Sequence, residues 1–530
     1  MSFGIRKELS ARRAAEEIGR RILDGEIKDF FDLWEAKIRA SEKYGIRGVL
    51  RNSEILDAIP SSRRNERVLT LLKVRPMRTI SGVNVIAVAT IGLCPWKCIY
   101  CPQGENAPKS YTGKEPAVLR AIQNDYDPCK QVLSRIRQLQ ETGHEVSKCE
   151  LIIIGGTFNA MERGYREWFI KRCLDAMNGF ESSSLKDAQL ANEKAGYRMV
   201  GLTVETRPDL TGRKEICELL EEGLTRIELG VQTLSDEVYK KINRGHKVED
   251  VVNATKVCKD SFLKVLYHMM PGLFSDRNDD VRTFRRLFQD EKFRPDMLKI
   301  YPALVMKGTK LYEMWKRGEY KPYSSEEATD VIADATKFIP KYVRVMRIQR
   351  DFPSTLVVDG VKKSNLRQLV DEKLRMRKTK CNCIRCREIG YKILKERIEP
   401  DWESIKLNRL DYDASGGREI FLSFDEVKHD TLIGFLRLRK PSCESRRTNE
   451  RSMGVRELHV YGRMLPVGER GDAEFQHRGF GKMLLKEAEK ISREEFDSRK
   501  ILVLSGVGVR DYYFSLGYKR DGPYVSKGLN

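Results

Sequence analysis

The stretch Cys94-Pro-Trp-Lys-Cys98-Ile-Tyr-Cys101 follows an apolar run, residues 80–93, and decides the fold. Its spacing places three thiols in one loop at the end of a predicted strand. Three thiolates satisfy three irons of a four-iron cluster and leave the fourth iron open to bind a substrate. A zinc site that lacks one ligand is the alternative. The position of the loop, where (β/α) barrels keep their active sites, favours the cluster.

Downstream of this loop, short apolar runs alternate with helical patterns. The runs cover residues 150–154, 198–204, 226–231, 262–269 and 297–301. Strands separated by helices predict repeated βα units and a parallel sheet. With the strand before Cys94 they make about six units, fewer than the eight of a closed barrel. We therefore expect an α/β fold with a partial (β/α)6 barrel.

The ends of the chain have different patterns. Residues 1–75 are rich in charge and helix formers, which predicts a basic helical region. After residue 410, hairpin-like strands at 419–424 and 431–439 precede a strand through 457–461, a helix from Gly479 and a final strand-helix-strand unit. These patterns predict four segments: 1–75, a barrel domain at 76–370, a cysteine-containing basic linker at 371–400, and a mixed α/β domain at 401–530.

The composition favours a polyanionic partner. The 530 residues include 98 Lys and Arg against 77 Asp and Glu, a net charge of +21. Residues 337–410 hold 20 basic against 9 acidic side chains, and residues 1–80 hold 18 against 12. Nucleic acid is the first candidate for such a surface. No apolar stretch reaches the roughly 18 residues of a membrane helix, and no apolar signal core is present, so we expect a cytoplasmic protein without a membrane partner.

A second cysteine group lies in the basic linker and consists of Cys381, Cys383 and Cys386. Three close thiolates are one ligand short of a closed structural zinc site. Cys443 is the first choice for the fourth ligand, with His429 and His459 as alternatives. Incidental placement of cysteines in a basic linker is the competing interpretation. A zinc ion here would brace the junction of two domains.

A glycine motif precedes the last long helix: Gln476-His477-Arg478-Gly479-Phe480-Gly481. Glycines let the backbone approach a pyrophosphate closely, and a helix start offers unpaired amides. By itself such a motif is better interpreted as a plain turn. Residues 511–518 downstream include the pair Tyr512 and Tyr513.

At its cysteine loop the chain resembles the radical S-adenosylmethionine (SAM) enzymes, in which an aromatic residue, here Tyr100, precedes the last cysteine. The resemblance implies a 4Fe-4S cluster on Cys94, Cys98 and Cys101 and a TIM-like partial barrel. It also implies that Gly155, Gly156 and Thr157 contact the SAM amino group. Glu205 and Arg207 would then place polar groups on the SAM ribose and carboxylate.

The C-terminal part resembles the Gcn5-related acetyltransferase family through the glycine motif and residues 511–518. That resemblance implies a mixed α/β acetyltransferase domain in which the glycine loop binds the pyrophosphate of coenzyme A. A tyrosine of the last helix would reach the thioester sulfur, and Tyr512 or Tyr513 fits that role. Core packing is the ordinary role of a tyrosine, and we expect it for one of the pair.

The order of these two domains resembles the family of the Elongator catalytic subunit and its free-standing archaeal relatives. Further matching motifs are residues 110–113, 243–246, 268–271, 299–302 and 456–462. The resemblance implies an acyltransferase that uses SAM and acetyl-CoA to carboxymethylate the wobble uridine of the tRNA anticodon stem-loop. Implied cofactor contacts are Lys148, Lys299, Glu457, Leu458, His459, Val460, Phe475, Gln476, His477, Gly479, Gly481 and Tyr513, with Lys148 and the tyrosine pair as catalytic residues. The enzyme would be stand-alone or homodimeric, whereas relatives have Elongator accessory subunits.

The mechanism that we expect is radical addition, because carbon 5 of uridine has no leaving group and an acetyl methyl is a poor nucleophile. A 5′-deoxyadenosyl radical derived from SAM would take a hydrogen atom from the acetyl methyl. The carbon radical would add to carbon 5, and thioester hydrolysis would leave 5-carboxymethyluridine. The alternatives are a histone-type protein lysine acetyltransferase with a structural iron–sulfur cluster and a non-catalytic tRNA-binding scaffold.

Overall fold

Helices form the N-terminal region, as its composition predicts: α1 (Ser2–Leu23), α2 (Phe30–Lys43), α3 (Asn52–Ala58) and α4 (Glu66–Leu72). Their apolar faces share a buried core that includes Ile18, Leu33 and Leu56. The computed structural model describes residues 2–46, 48–72, 79–92, 94–350, 352–443, 445, 451–462 and 479–529. Met1–Ile80 and Leu133–Ser147 form one unit, and Ser81–Val132 with Lys148–Asn530 form a second.

A parallel sheet of seven strands dominates the second unit. Its strands, in spatial order, are β1 (Asn84–Ala89), β2 (Lys148–Ile154), β3 (Arg198–Thr206), β4 (Arg226–Gln232), β5 (Lys264–Met269), β6 (Met297–Ile300) and β8 (Arg344–Ile348). The short strands β7 (Val305–Met306) and β9 (Val357–Asp359) pair separately. Every neighbouring pair in the large sheet is parallel. The six predicted strands are present, and β8 is a seventh that its charged sequence did not reveal.

Helices connect the parallel strands and continue beyond the sheet. They are α5 (Pro116–Gln123), α6 (Pro128–Glu141), α7 (Arg163–Asn178), α8 (Leu185–Asn192), α9 (Arg213–Glu221), α10 (Asp236–Lys241), α11 (Val248–Asp260), α12 (Arg277–Gln289), α13 (Lys310–Lys316), α14 (Ser325–Thr336), α15 (Leu366–Met376), α16 (Ile384–Arg387) and α17 (Ile389–Glu396). Strand order follows chain order, which is the partial-barrel topology that the sequence predicts. No described helix has the length and apolar character needed to cross a membrane.

A second seven-stranded sheet forms the C-terminal domain. Its strands, in spatial order, are β10 (Ile405–Ala414), β11 (Gly417–Glu426), β12 (Thr431–Lys440), β13 (Ser452–Val460), β14 (Lys500–Val503), β16 (Tyr524–Gly528) and β15 (Lys519–Asp521). Neighbours are antiparallel except β13 and β14, which are parallel. The helices α18 (Phe480–Glu494) and α19 (Arg510–Phe514) complete this mixed α/β domain. The predicted fold class is confirmed.

The C-terminal domain packs against the parallel sheet at the end where its strands begin, which we call the amino-terminal edge. A Cβ added to Gly506 would lie 2.3 Å from the backbone of Val200, near the start of β3, so the two backbones are in direct contact there. Arg456 of β13 donates to Leu263 O, just before β5, at 2.8 Å. The cysteine loop follows the last residue of β1, Ala89, and so lies at the opposite, carboxyl-terminal end of the strands.

Candidate active site

The cysteine loop is held by the backbone of two distant segments. Ile99 N donates to Ile242 O at 3.1 Å, and Leu311 N donates to Ile99 O at 3.0 Å. Cys101 N donates to Cys98 O at 3.2 Å, which closes a turn between two of the three cysteines. The loop at the end of β1 thus has a defined shape that local sequence alone does not provide.

Each thiol of the loop has a different polar neighbour. Thr157 Oγ1 lies 3.6 Å from Cys94 Sγ, Ser110 Oγ lies 2.8 Å from Cys101 Sγ, and Arg244 Nη1 lies 3.4 Å from Cys98 Sγ. Burial raises the pKa of Cys101 to about 11, so iron must displace its proton on binding. Three thiols with hydrogen-bonding neighbours fit an iron–sulfur cluster, whose sulfur ligands are commonly hydrogen-bonded.

The predicted SAM-binding glycines lie directly against this loop. Gly155 and Gly156 have φ angles of +137° and +87°. A Cβ on Gly155 would lie 3.0 Å from Thr90 O, and a Cβ on Gly156 would lie 3.3 Å from Lys109 O and 3.7 Å from the Cys94 Cβ. The two glycines therefore allow the end of β2 to approach the cysteine loop closely.

Glu205 and Arg207, at the end of β3, also reach this region. The Tyr111 hydroxyl donates to Glu205 at 2.8 Å. Arg207 donates twice to the Asp209 carboxylate at 3.0 Å and lies 4.0 Å from the Trp96 ring, so its guanidinium sits beside the cysteine loop. The roles of Glu205 and Arg207 in SAM binding stay predictions.

A chain of charged side chains crosses one face of the parallel sheet. It runs from Glu150 through Arg226, Glu228, His268 and Lys299 to Glu205 and Tyr111. Glu228 is fully buried; although burial opposes ionisation, Lys299, His268 and Arg226 hold its pKa well below the ordinary value. Glu205, Glu228 and His268 could together bind a metal ion, but the Lys299 ammonium already lies against both carboxylates and would repel a cation.

Sequence reasoning did not single out Glu228 and His268, which lie at the centre of this chain of charged side chains. His268 Nε2 lies 2.8 Å from a Glu228 carboxylate oxygen. Glu228 interrupts an apolar strand pattern, and His268 begins one of the matching motifs. A charged residue within a buried strand was the available signal.

Lys148 lies at the amino-terminal edge of the parallel sheet, as the first residue of β2. Six residues of β2 lie between Lys148 and Gly155, so the two are roughly 23 Å apart at the usual rise per residue. Burial lowers the pKa of Lys148 to about 8. Lys148 is therefore on the side of the sheet that faces the C-terminal domain, away from the cysteine loop.

The predicted acetyl-CoA strand is the end of β13. The ladder between β13 and β14 covers only Ser452–Val455, whereas Leu458 and Val460 pair with Leu436 and Gly434 of β12. Arg437 Nε donates to Glu457 at 2.8 Å; although burial opposes ionisation, Arg437 lowers the pKa of Glu457. His459 Nε2 lies 2.9 Å from Ser81 O, and its ring is parallel to Phe435.

The helix α18 begins where the glycine motif predicts. Gly479 caps the helix with a φ of +84°. A Cβ on Gly481 would lie 3.0 Å from the Tyr512 hydroxyl, whereas Tyr513 is 6% exposed and packs edge-on against Tyr512 and Tyr518. The structure thus brings Tyr512, not Tyr513, to the helix start. Phe475, Gln476 and His477 lie outside the described residues.

The second cysteine group forms a compact donor set. The Sγ atoms of Cys381, Cys383 and Cys386 lie within 4.8 Å of one another, and no fourth His, Cys, Asp or Glu of the described ranges joins them. Arg367 donates to Cys386 Sγ at 3.3 Å. The three candidate fourth ligands lie elsewhere: Cys443 is exposed, His429 contacts Glu426, and His459 contacts Ser81.

Comparison with known proteins agrees with this architecture. Residues 88–288 match the Radical SAM superfamily, residues 295–376 the Radical SAM C-terminal domain, and residues 11–80 the ELP3 N-terminal domain. The chain is 52% identical to the tRNA uridine(34) acetyltransferase of Methanocaldococcus jannaschii over 488 residues, 90% of each chain. It is 42% identical to Elongator complex protein 3 of Saccharomyces cerevisiae over 506 residues, 92% of this chain and 90% of that protein.

A solved structure is also similar. It is the archaeal Methanocaldococcus infernus Elp3 with an N-terminal deletion (1–46), which is 50% identical in sequence to this chain and superposes with a TM-score of 0.76. The match covers 85% of this chain and 100% of the solved chain. The curled parallel sheet, its cysteine loop and the match to residues 88–288 define a radical SAM protein. More narrowly, the chain belongs to the family of the tRNA uridine(34) acetyltransferases and Elongator complex protein 3. The family predicted from the sequence is confirmed.

Proposed function

We propose that this chain is a tRNA uridine(34) acetyltransferase that places a carboxymethyl group on carbon 5 of the wobble uridine, using acetyl-CoA and SAM. The names of its relatives support this proposal. Cys94, Cys98 and Cys101 would hold a 4Fe-4S cluster, and the chemistry that such a cluster would supply is one-electron reductive cleavage of SAM. We place this activity in the cytoplasm.

One observation carries the proposal: the charged side chains from Glu150 to Tyr111 connect the two edges of the parallel sheet. Acetyl-CoA would bind at the edge near Lys148, and SAM at the edge near Gly156. The polar face between them suits an acetyl-pantetheine arm that must reach the adenosyl group. A structural cluster in a protein acetyltransferase would need no such lining.

The acetyl-CoA site is assigned to the C-terminal domain and the edge that it covers. Gly479, Gly481 and the amides at the start of α18 would bind the pyrophosphate. The strand end from Glu457 to Val460 would pair with the pantetheine arm. Tyr512 would approach the thioester sulfur, because its hydroxyl lies beside Gly481 at the helix start.

Exposed basic residues would hold the tRNA. Arg12, Arg13, Arg20, Arg63 and Arg67 are exposed on the N-terminal helical unit. Residues 337–410 hold 20 basic against 9 acidic side chains, about half of the net charge of the chain. Phosphate contacts release counterions, so tRNA affinity should fall steeply with salt. The wobble base must leave its stack, which costs little in a single-stranded anticodon loop.

Cys381, Cys383 and Cys386 would bind a structural zinc ion. Their three converging thiols fit three of the four ligands of such a site. Ile384, which lies between two of these cysteines, donates its backbone N–H to Val343 O at 2.9 Å, just before β8. A zinc ion bound by the three thiols would therefore fix this segment against the end of the radical SAM domain.

Mass spectrometry of tRNA nucleosides tests the proposal. Wild-type protein with tRNA, SAM, acetyl-CoA and a reductant should yield 5-carboxymethyluridine, and Cys98→Ser should abolish it. Cys217→Ser is the matched control, because Cys217 is exposed on α9. Production of 5′-deoxyadenosine without modified uridine would contradict the proposed product. Acetylation of basic peptides that survives Cys98→Ser and needs no tRNA would instead support a protein lysine acetyltransferase.

A further inference from the structure

The segment Asn243–His246, between α10 and α11, lies along the cysteine loop. Asn243 Nδ2 donates to Lys97 O at 3.0 Å, and a Cβ on Gly245 would lie 3.1 Å from the Trp96 ring. Asn243 and Gly245 have φ angles of +53° and +82°, a backbone shape that brings the segment close to the loop. Arg244, between them, points its guanidinium at Cys98.

Arg244 is buried, at 7% exposure, and each of its nitrogens has a separate acceptor. Nε donates to His246 Nε2 at 3.1 Å, Nη1 to Cys98 Sγ at 3.4 Å, and Nη2 to Gly230 O. Burial and the neighbouring guanidiniums lower the pKa of His246 to about 4. The imidazole is therefore neutral, and its Nε2 can accept the hydrogen bond that orients Arg244.

No carboxylate in the described part of the chain forms an ion pair with Arg244. Arg207 differs from Arg244 in this respect, because its guanidinium donates two hydrogen bonds of 3.0 Å to the Asp209 carboxylate, which balances its charge. A buried cation without a counter-ion is costly. The anion that would balance Arg244 is the thiolate of Cys98, together with the cluster that the thiolate binds.

The three thiols are thus not equivalent. Cys94 and Cys101 have hydroxyl neighbours, Thr157 and Ser110. Cys98 Sγ instead faces two guanidiniums: Arg244 Nη1 at 3.4 Å, and Arg207 Nη1, whose charge Asp209 balances, at 3.9 Å. Charge-assisted hydrogen bonds are the stronger kind. Hydrogen bonds to the sulfurs and the net charge around a cluster set its reduction potential.

We propose that Arg244 raises the reduction potential of the cluster by donating to the Cys98 thiolate, with Asn243, Gly245 and His246 holding it in place. The inference rests on the proposed cluster. Reduction adds one negative charge, and a buried cation stabilises the reduced state more than the oxidised state. Arg244 is a positioning and tuning residue, and the one electron comes from the external reductant.

Redox titration of full-length protein, reconstituted anaerobically with iron and sulfide, tests the inference. The electron paramagnetic resonance signal of the reduced cluster would be followed against potential for wild type, Arg244→Gln and Lys247→Gln. Lys247 is exposed three residues away, so its variant removes the same charge without facing the loop. At a fixed potential, Arg244→Gln should lower the ratio of reduced to oxidised cluster about tenfold, which is 59 mV for one electron. Lys247→Gln should leave the ratio unchanged.

The experiment distinguishes a failure of the Arg244 inference from a failure of the proposed cluster. A wild-type potential in Arg244→Gln protein with a full iron content would overturn the inference. If Arg244→Gln fails to bind iron, Arg244→Met decides, because it removes the same charge and fills the buried space with an unbranched apolar side chain. A more negative potential in that variant supports the inference, and an unchanged potential overturns it. A wild-type protein that binds no iron would contradict the proposed cluster instead.

Discussion

Arg456 of β13 and Asp296, which precedes β6, form a two-pronged ion pair across the contact between the two domains of the second unit. Arg456 Nη1 lies 2.7 Å and Nη2 lies 2.6 Å from the Asp296 carboxylate oxygens, and both side chains are fully buried. Lys259 lies 3.3 Å from the same carboxylate. Despite burial, these cations lower the pKa of Asp296 below its ordinary value.

Asp296→Asn should therefore destabilise the protein strongly. Removing one partner of a buried ion pair leaves uncompensated charge and costs about 3–5 kcal/mol. Denaturant unfolding would measure the change in the free energy of unfolding. Asp497→Asn is the control: the Asp497 side chain is 92% exposed in its pair with Arg451, and its loss should cost less than about 1 kcal/mol. Equal effects of the two substitutions would contradict the role of Asp296.

Acetyl-CoA binding should weaken as pH rises through about 8. The Lys148 pKa is lowered to about 8 because burial penalises the ammonium, so the cation that would contact acetyl-CoA is lost above that pH. The KM for acetyl-CoA should rise between pH 7 and pH 9 in wild type. This rise should be absent in Lys148→Met and retained in Lys186→Met, whose lysine is exposed. A pH profile that Lys148→Met leaves unchanged would exclude Lys148 from the site.

Zinc binding should depend on Cys383. The three thiols of the second group are the only described donors that converge there, so Cys383→Ser should release the metal and lower the melting temperature. Metal analysis by mass spectrometry and thermal unfolding would measure both. Cys443→Ser should keep its zinc, because Cys443 is exposed and apart from the group; loss of zinc in that variant would make Cys443 the fourth ligand.

The sequence predicted the fold well where apolar runs mark strands. It missed β8 and β10, in which charged residues such as Arg347 and Arg409 alternate with apolar ones. It also gave no sign that Lys259, Asp296 and Glu419 are buried, because charged residues ordinarily face solvent. Their burial is explained by the contact between the two domains, where they form ion pairs with one another and with Arg456.

In the candidate site, too, the sequence predicted the local motifs but not the long-range contacts. The cysteine loop and the glycines after β2 were predicted from local spacing, and the structure places them together. The contact between Cys98 and Arg244 joins residues 146 positions apart. A motif at residues 243–246 was visible, but its chemistry was not, because periodicity carries no information about such long-range contacts.

Gly481, near the start of α18, lies beside the Tyr512 hydroxyl. A methyl group at position 481 would lie 3.0 Å from the Tyr512 hydroxyl, too close for an undisturbed contact, so Gly481→Ala should displace the tyrosine. We expect kcat/KM for acetyl-CoA to fall about three- to tenfold, as the loss of one hydrogen bond worth roughly 1 kcal/mol gives. Tyr512→Phe should cause a similar loss, since it removes the same hydroxyl.

The double variant distinguishes this coupling from independent damage. If both changes act through the Tyr512 hydroxyl, Gly481→Ala should add little in the Tyr512→Phe background, because effects of groups in contact are not additive. Tyr513→Phe is the matched control: Tyr513 packs between Tyr512 and Tyr518, so its hydroxyl should matter little for kcat/KM. Steady-state kinetics of thioester hydrolysis with tRNA present would measure all four variants. Fully additive losses would show that Gly481 acts on the pyrophosphate and not on Tyr512.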